Sequence, residues 1–117
     1  MRICIDLDGT ICETRRMGQD YANVEPKPGA VDFIKKLNEE GHYVIIHTAR
    51  GMKTFKGNKK KIEKTHYHCI TEWFQRHGIK YDELIFGKPL ADVYIDDRAM
   101  VYDNNWKELN AILPRHG

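Results

Sequence analysis

The chain has 117 residues, of which 41% are apolar and 31% charged, and this predicts one soluble globular domain over residues 1–117. The composition excludes collagen-like, low-complexity and mucin-like proteins, and the net charge of +2 indicates no particular partner. The longest apolar runs are four or five residues, so no membrane span is expected. Two aspartates within the first eight residues exclude a signal-peptide pattern there, which predicts a cytoplasmic protein.

Along the chain, strand-like and helix-like patterns alternate. The apolar run RICIDL at 2–7 predicts a strand buried on both faces, and the mixed polar segment 11–27 predicts a loop or small flap. Helical spacing predicts a helix from about residue 28 or 29 to 40, with Gly41 as its stop. The apolar run at 43–48 predicts a second buried strand.

The second half of the chain continues the alternation. We predict a helix at 59–77, a third strand at 83–86 and a fourth at 92–95, and Asp103 or Asn104 is a candidate N-cap for a last helix. Strands that alternate with helices favour a parallel sheet. The expected fold is therefore a single doubly wound, Rossmann-like α/β domain with a short sheet in the order 3-2-1-4.

Polar side chains follow all four predicted strands. In sheets of this kind, ligands bind outside the carboxyl ends of the strands. We therefore expect one site that contains Asp6 and Asp8, Thr48 and Arg50, Lys88, and Asp96 and Asp97.

The residue types at this edge favour a magnesium site with a phosphorylated substrate. Four carboxylates packed together would repel each other unless a divalent cation lay between them. Oxygen-only ligands favour Mg²⁺, which usually takes one or two carboxylates together with water and phosphate oxygens. Lys88 and Thr48 are then candidate phosphate ligands, and backbone N–H groups at Gly9 and Thr10 are candidates to cradle the phosphoryl group.

Four segments resemble the motifs of the haloacid dehalogenase-like superfamily. The sequence DLDGT at 6–10 resembles its first motif, and the apolar run that ends in Thr48 resembles its second. Lys88 in GKPLAD resembles the third motif, and Asp96-Asp97 after VYI resembles the fourth. All four occur in order over nearly the whole chain, which supports membership of this superfamily.

This resemblance implies a Mg²⁺-dependent phosphomonoester hydrolase. Asp6 would be the nucleophile that forms an aspartyl-phosphate, and Asp8 would protonate the leaving oxygen and then activate water. Mg²⁺ would be held by the Asp6 carboxylate, the Asp8 backbone carbonyl and Asp96, with Asp97 acting more remotely or through water. The second carboxylate at Asp8 favours phosphatase over dehalogenase chemistry.

The resemblance also bears on the substrate. Superfamily members usually carry a cap domain, but the two usual insertion points hold only residues 11–27 and 89–91, so no separate cap domain is expected. A minimal member acts on a bulky substrate or uses a second copy of the chain as a lid. The stretch GKPLADVYIDDRA resembles small phosphatases of bacterial capsule and polysaccharide biosynthesis, which implies a sugar phosphate or a polysaccharide-biosynthesis intermediate as substrate.

Two alternative functions stay open at this stage. The sequence HTAR at 47–50 resembles the phosphatase half of polynucleotide kinases, which implies a nucleic-acid 3′-phosphate. Residues 51–64 hold six lysines against one glutamate, either as a solvated face or to attract anionic substrates, with Arg50 and Lys53 as candidate substrate contacts. The second alternative is a catalytically silent phosphate-binding or scaffold module, although both candidate catalytic aspartates are present.

Overall fold

A three-stranded parallel sheet lies at the centre of the computed structural model, which describes residues 1–113. The elements of the described residues are β1 (Arg2–Asp6), a short 3₁₀ helix (Tyr21–Asn23), α1 (Ala30–Glu39), β2 (Tyr43–Thr48), α2 (Lys59–Arg76), β3 (Glu83–Phe86) and α3 (Trp106–Ile112). Both β2 and β3 have the predicted bounds, and α1 and α2 agree with prediction to within two residues. No helix among these residues combines the length and the apolar character needed to cross a membrane.

The register of the sheet brings the carboxyl ends of the strands to one edge. The sheet order is β1-β2-β3, with Asp6 opposite His47 and Thr48 opposite Phe86. The residues that follow these strand ends are therefore neighbours in space although they are far apart in sequence.

Helices cover one face of the sheet. On that face Ile5, Ile46 and Phe86 are buried in one cluster that also contains residues of α1 and α2. On the other face Ile45 of the central strand is 9% exposed, but Cys4 is exposed and Ile85 is partly exposed. Because the strands follow each other in sheet order, right-handed crossovers place α1 and α2 on the same side. The described fold is two-layered, so the predictions of a doubly wound domain and of a first strand buried on both faces are corrected.

The predicted fourth strand at 92–95 is wrong. The structure assigns no strand there, and the side chains of Val93 and Ile95 are 72% and 98% exposed. A strand needs a neighbouring strand to accept and donate its backbone hydrogen bonds. Among the described residues β1 pairs only with β2, so residues 92–95 have no such neighbour. The prediction rested on the local apolar pattern VYI alone. The observed strand order is 3-2-1, without the predicted fourth strand.

Two other connections differ in detail from expectation. The segment 11–27 contains the 3₁₀ turn and is tied to α2 by a hydrogen bond from Trp73 Nε1 to the carbonyl of Val24, at 2.8 Å. The N-cap of α3 is Asn105, whose side chain makes no capping hydrogen bond, so neither Asp103 nor Asn104 has the predicted capping role. Burial of Trp106 against Phe33 on α1, with ring centroids 4.6 Å apart, holds α3 instead.

Candidate active site

A tight turn follows β1 and shapes one side of the site. The carbonyl of Leu7 accepts hydrogen bonds from the amides of Thr10 and Cys12, both at 3.2 Å, and the amide of Gly9 donates to the carbonyl of Cys12 at 2.8 Å. Gly9 has φ +82°, a backbone conformation that favours glycine. Both amides bond within the turn in this structure, and the phosphate cradle at Gly9 and Thr10 stays a prediction. Thr10 also donates its hydroxyl to Asp6 Oδ2 at 3.1 Å.

Asp6 is paired with the predicted lysine. Lys88 Nζ lies 3.2 Å from Asp6 Oδ1, with the lysine side chain 20% exposed and the aspartate side chain 29% exposed. The backbone amide of Lys88 donates to the carbonyl of Thr48 at 3.1 Å, so the end of β2 anchors the loop after β3. The ring of Tyr94 lies 4.4 Å from Lys88 Nζ. A single point charge and one hydroxyl therefore support Asp6.

Asp8 is held much more firmly. Arg50 Nη2 donates to Asp8 Oδ1 at 2.7 Å and Arg50 Nε donates to Asp8 Oδ2 at 3.2 Å. The Arg50 side chain is only 3% exposed, and its guanidinium lies 3.9 Å from the ring centroid of Tyr21. A planar guanidinium that bonds both carboxylate oxygens fixes the carboxylate in position and orientation. Sequence reasoning made Arg50 a candidate substrate contact. In the structure its guanidinium bonds Asp8, and its contact with substrate stays a prediction.

Thr48 and Lys53 also lie near this edge but in different environments. Thr48 is 1% exposed, and its Oγ1 accepts a hydrogen bond from the amide of Arg50 at 3.0 Å, so its hydroxyl hydrogen is left to donate. Lys53 is exposed in the loop between β2 and α2. Its substrate contact stays a prediction.

Asp96 and Asp97 do not join the other two aspartates in a cluster. Both side chains are exposed, and Asp96 Oδ1 accepts the amide of Arg98 at 2.8 Å within a local turn. Residues 1–113 contain no group of three or more His, Cys, Asp or Glu side chains that could hold a metal ion. The expected repulsion among four carboxylates is therefore not present, because Asp6 and Asp8 are each balanced by a cation.

Sequence reasoning missed three side chains that surround the Asp8–Arg50 pair. Cys12 is fully buried and its thiol donates to Asp8 Oδ1 at 3.6 Å; burial, and then the charge of Asp8, raises its pKa to about 12. His66 packs edge-on against Tyr21 with centroids 5.6 Å apart, and burial, followed by the charge of Arg50, lowers its pKa. No sequence pattern marks these contacts: Cys12 meets Asp8 within the turn after β1, and Tyr21 joins the irregular segment 11–27 to His66 on α2.

A groove on the described surface lies elsewhere. It has a volume of about 640 Å³ and is lined by the carboxyl ends of α1 and α2 together with residues 78–82, which precede β3. Parallel strands begin at that edge of the sheet, opposite the edge where Asp6 lies. The groove is therefore no part of the candidate active site.

The two cation-paired aspartates lie at the carboxyl edge of the parallel sheet, which is where α/β domains bind their ligands. Residues 3–72, more than half of the chain, match the family model of the haloacid dehalogenase-like hydrolases. The chain belongs to this family, and the resemblance read from the motifs is confirmed.

A solved structure supports the same assignment over a longer stretch. A crystal structure of an MCSG target from Vibrio cholerae is similar to this chain with a TM-score of 0.79 and 32% sequence identity. The likeness covers 94% of this chain and 96% of that chain, so it extends well past residue 72. No curated protein matches the chain.

Proposed function

We propose that the protein is a Mg²⁺-dependent phosphomonoester hydrolase that acts through an aspartyl-phosphate on Asp6. The observation that carries this proposal is the pair of aspartates two residues apart at the sheet edge. The two carboxylates are held by different kinds of contact. Asp6 has one lysine contact and one hydroxyl contact, whereas Asp8 is fixed by a bidentate arginine. Both groups must be positioned against the substrate; the lysine and hydroxyl that contact Asp6 are also suited to a phosphoryl group, whereas the bidentate arginine fixes Asp8 for proton transfer. Membership of a hydrolase family supports the same roles.

In the first step a carboxylate oxygen of Asp6 attacks phosphorus. The new bond joins that oxygen to phosphorus, and the bond between phosphorus and the leaving oxygen breaks. Lys88 already lies 3.2 Å from Asp6 and is suited to bind a phosphoryl oxygen through its ammonium group, while Thr48 would donate its hydroxyl. Positioning and charge stabilisation account for most of the rate enhancement in phosphoryl transfer.

Asp8 would move protons in both steps. As an acid it protonates the leaving oxygen; as a base it then takes a proton from the water that attacks the aspartyl-phosphate and releases inorganic phosphate. Each carboxylate oxygen has two lone pairs, so Asp8 can carry a proton while it still accepts from Arg50. The buried Arg50 would thereby hold Asp8 in the orientation that both transfers require.

Magnesium fits the donor chemistry at this edge. Carboxylate oxygens are the donors that Mg²⁺ prefers, and the ion needs only one or two of them because water and substrate phosphate complete its shell. Asp6 would supply one ligand and the backbone carbonyl of Asp8 another. Asp96 and Asp97 lie apart from this pair in the structure, so their exposed segment would have to approach for Asp96 to supply a third ligand and Asp97 to act through water. The contact of Tyr94 with Lys88 supports this, since Tyr94 lies two residues before Asp96. When bound, the ion supplies positive charge against the phosphoryl oxygens.

For the substrate, we favour a sugar phosphate or a phosphorylated intermediate of polysaccharide biosynthesis. The site lies at an open sheet edge, which suits a substrate larger than a free phosphate, and a second copy of the chain is a candidate lid. A nucleic-acid 3′-phosphate is less favoured, because Phe55, the aromatic residue of the basic loop, packs against the core and His66. Stacking on bases requires an available aromatic face.

The test is phosphate release from p-nitrophenyl phosphate, sugar phosphates and a 3′-phosphorylated oligonucleotide. Each is assayed with Mg²⁺, with EDTA, with Asp6→Asn, and with Asp103→Asn, which changes an exposed carboxylate outside the site. We expect release that requires Mg²⁺, is lost in Asp6→Asn and is retained in Asp103→Asn. Folded protein without release from any compound would contradict the proposal and favour the silent phosphate-binding module.

A further inference from the structure

Six exposed lysines surround the start of α2. They lie in the loop that follows β2 and in the first turns of the helix, and we call them the lysine surface: Lys53, Lys56, Lys59, Lys60, Lys61 and Lys64. With one glutamate among residues 51–64, the segment carries a net charge of +5. Within the described part of the chain, none of the six forms an ion pair.

The fold gives these lysines no stabilising role. Lys59, Lys60 and Lys61 occupy the first turn of α2, where the positive end of the helix dipole disfavours cations, and this turn contains no acidic residue. Helix α1 has the arrangement that the dipole favours, with Asp32 in its first turn and Lys36 in its last. These lysines are unfavourable to the helix dipole and to each other, so an external anion bound among them would relieve both repulsions.

Lys59 connects the lysine surface to the active site. A Cβ atom built on Gly87 would lie 2.6 Å from Lys59 Cε and 3.4 Å from Lys59 Nζ. Gly87 immediately precedes Lys88, whose ammonium lies 3.2 Å from Asp6. The pKa of His47, at the end of β2, is lowered by burial and then by the charges of Lys88 and Lys59. Lys59 therefore adds positive charge at the same edge as Lys88.

We propose that the lysine surface binds a second phosphate group of the substrate, so that the preferred substrate is a small phosphomonoester carrying another phosphate. This rests on the proposed phosphatase function of Asp6 and Asp8. Lys88 would bind the phosphate that is hydrolysed, and Lys59 would bind the phosphate that is retained, with Lys60 and Lys61 adding positive charge from other directions of the same helical turn. Ammonium groups on flexible side chains suit phosphate oxygens as point charges.

The experiment compares glucose 1,6-bisphosphate with its two monophosphates, glucose 1-phosphate and glucose 6-phosphate. The variant replaces Lys59, Lys60 and Lys61 together by Gln, and the matched control replaces the exposed Lys35 and Lys36 of α1 by Gln. We expect kcat/KM for the bisphosphate to exceed that for either monophosphate at least tenfold. This preference should fall at least tenfold in the triple variant and stay unchanged in the control.

A binding measurement separates this inference from the proposed function. In Asp6→Asn, calorimetric Kd values for the same three compounds require no turnover, so they report on the second phosphate even if no phosphate is released. Equal Kd values for bisphosphate and monophosphates, or a preference that survives in the triple variant, would overturn the inference. The inference would also be overturned if the triple substitution weakened binding of a 3′-phosphorylated oligonucleotide more than binding of the bisphosphate. That result would favour a polyanionic substrate.

Discussion

The two aspartates of the site are equally accessible but differently held. Their side chains are 29% and 27% exposed for Asp6 and Asp8, whereas the cations that pair with them are 20% exposed for Lys88 and 3% for Arg50. Lys88 makes one contact with its carboxylate, and Arg50 makes two. The difference between the two halves of the site therefore lies in the partners and not in the acids.

Aromatic neighbours repeat this contrast. The ring over Arg50 belongs to Tyr21, which is partly buried in the segment tied to α2, and the ring over Lys88 belongs to Tyr94, which is 50% exposed. The Asp8 half of the site, formed with Arg50 and Tyr21, is continuous with the packed core. The Asp6 half, formed with Lys88 and Tyr94, opens toward an exposed segment. This difference in packing agrees with the proposed roles, in which Asp8 is a preorganised acid–base group and Asp6 the nucleophile.

The largest expected effect comes from exchanging each aspartate for Asn. Asp6→Asn should lower kcat by about 10⁴-fold or more, because the nucleophile is lost. Asp8→Asn should lower it by about 10²–10⁴-fold, and with p-nitrophenyl phosphate it should still give a burst of one equivalent of p-nitrophenol. This leaving group departs without a proton, while hydrolysis of the aspartyl-phosphate stays slow. A burst in Asp6→Asn, or none in Asp8→Asn, would reverse the assigned roles.

A smaller effect should follow from exchanging the two cations. Arg50→Lys keeps the charge but loses the bidentate contact, so we expect kcat to fall about 10²-fold with little change in KM. Lys88→Gln should raise KM as well, since Lys88 is placed to meet the phosphate. Steady-state kinetics on folded variants, verified by circular dichroism, measure both. If Arg50→Lys raised KM and left kcat intact, Arg50 would contact substrate, as the sequence alone suggested.

The aromatic neighbours should differ in stability more than in activity. Tyr21→Leu removes the ring over a buried guanidinium and should lower the free energy of unfolding by about 1–2 kcal/mol. Tyr94→Leu changes a half-exposed ring and should lower it by less than about 0.5 kcal/mol. Urea denaturation of both variants provides the comparison, and equal losses would contradict the difference in packing between the two halves.

The smallest effect is a pH dependence on the Asp8 half. Burial and the charge of Arg50 lower the pKa of His66, so the folded state favours the neutral ring. The unfolded chain then binds more protons below about pH 6.5, and stability is lost as the pH falls from there toward the folded pKa. Arg15 adds to this effect, and Asp8 opposes it.

His66→Gln should flatten the dependence of unfolding free energy on pH between about 7.5 and 5.5. His68→Gln is the matched control, because that side chain is 92% exposed two residues along the same helix. Urea denaturation at several pH values measures both slopes. An unchanged slope in His66→Gln would mean that the ring accepts a proton in the fold without cost.

Local sequence predicted the elements whose apolar pattern matches their burial. The run 43–48 became β2 with the predicted bounds, because its inward-facing residues Val44 and Ile46 are buried. The run at 92–95 has a similar apolar pattern but no ladder partner, and it forms no strand. A strand pattern is thus necessary but not sufficient, since the hydrogen bonds of a strand come from a distant segment.

The candidate site divides in the same way. The sequence alone identified Asp6, Asp8, Thr48 and Lys88, because polar residues after strands of a parallel sheet meet at one edge whatever the details of packing. The contacts of Arg50 with Asp8 and with Tyr21 were decided only by tertiary structure. They depend on which face of α2 meets the segment 11–27, and that choice is made by side-chain packing between residues far apart in the chain.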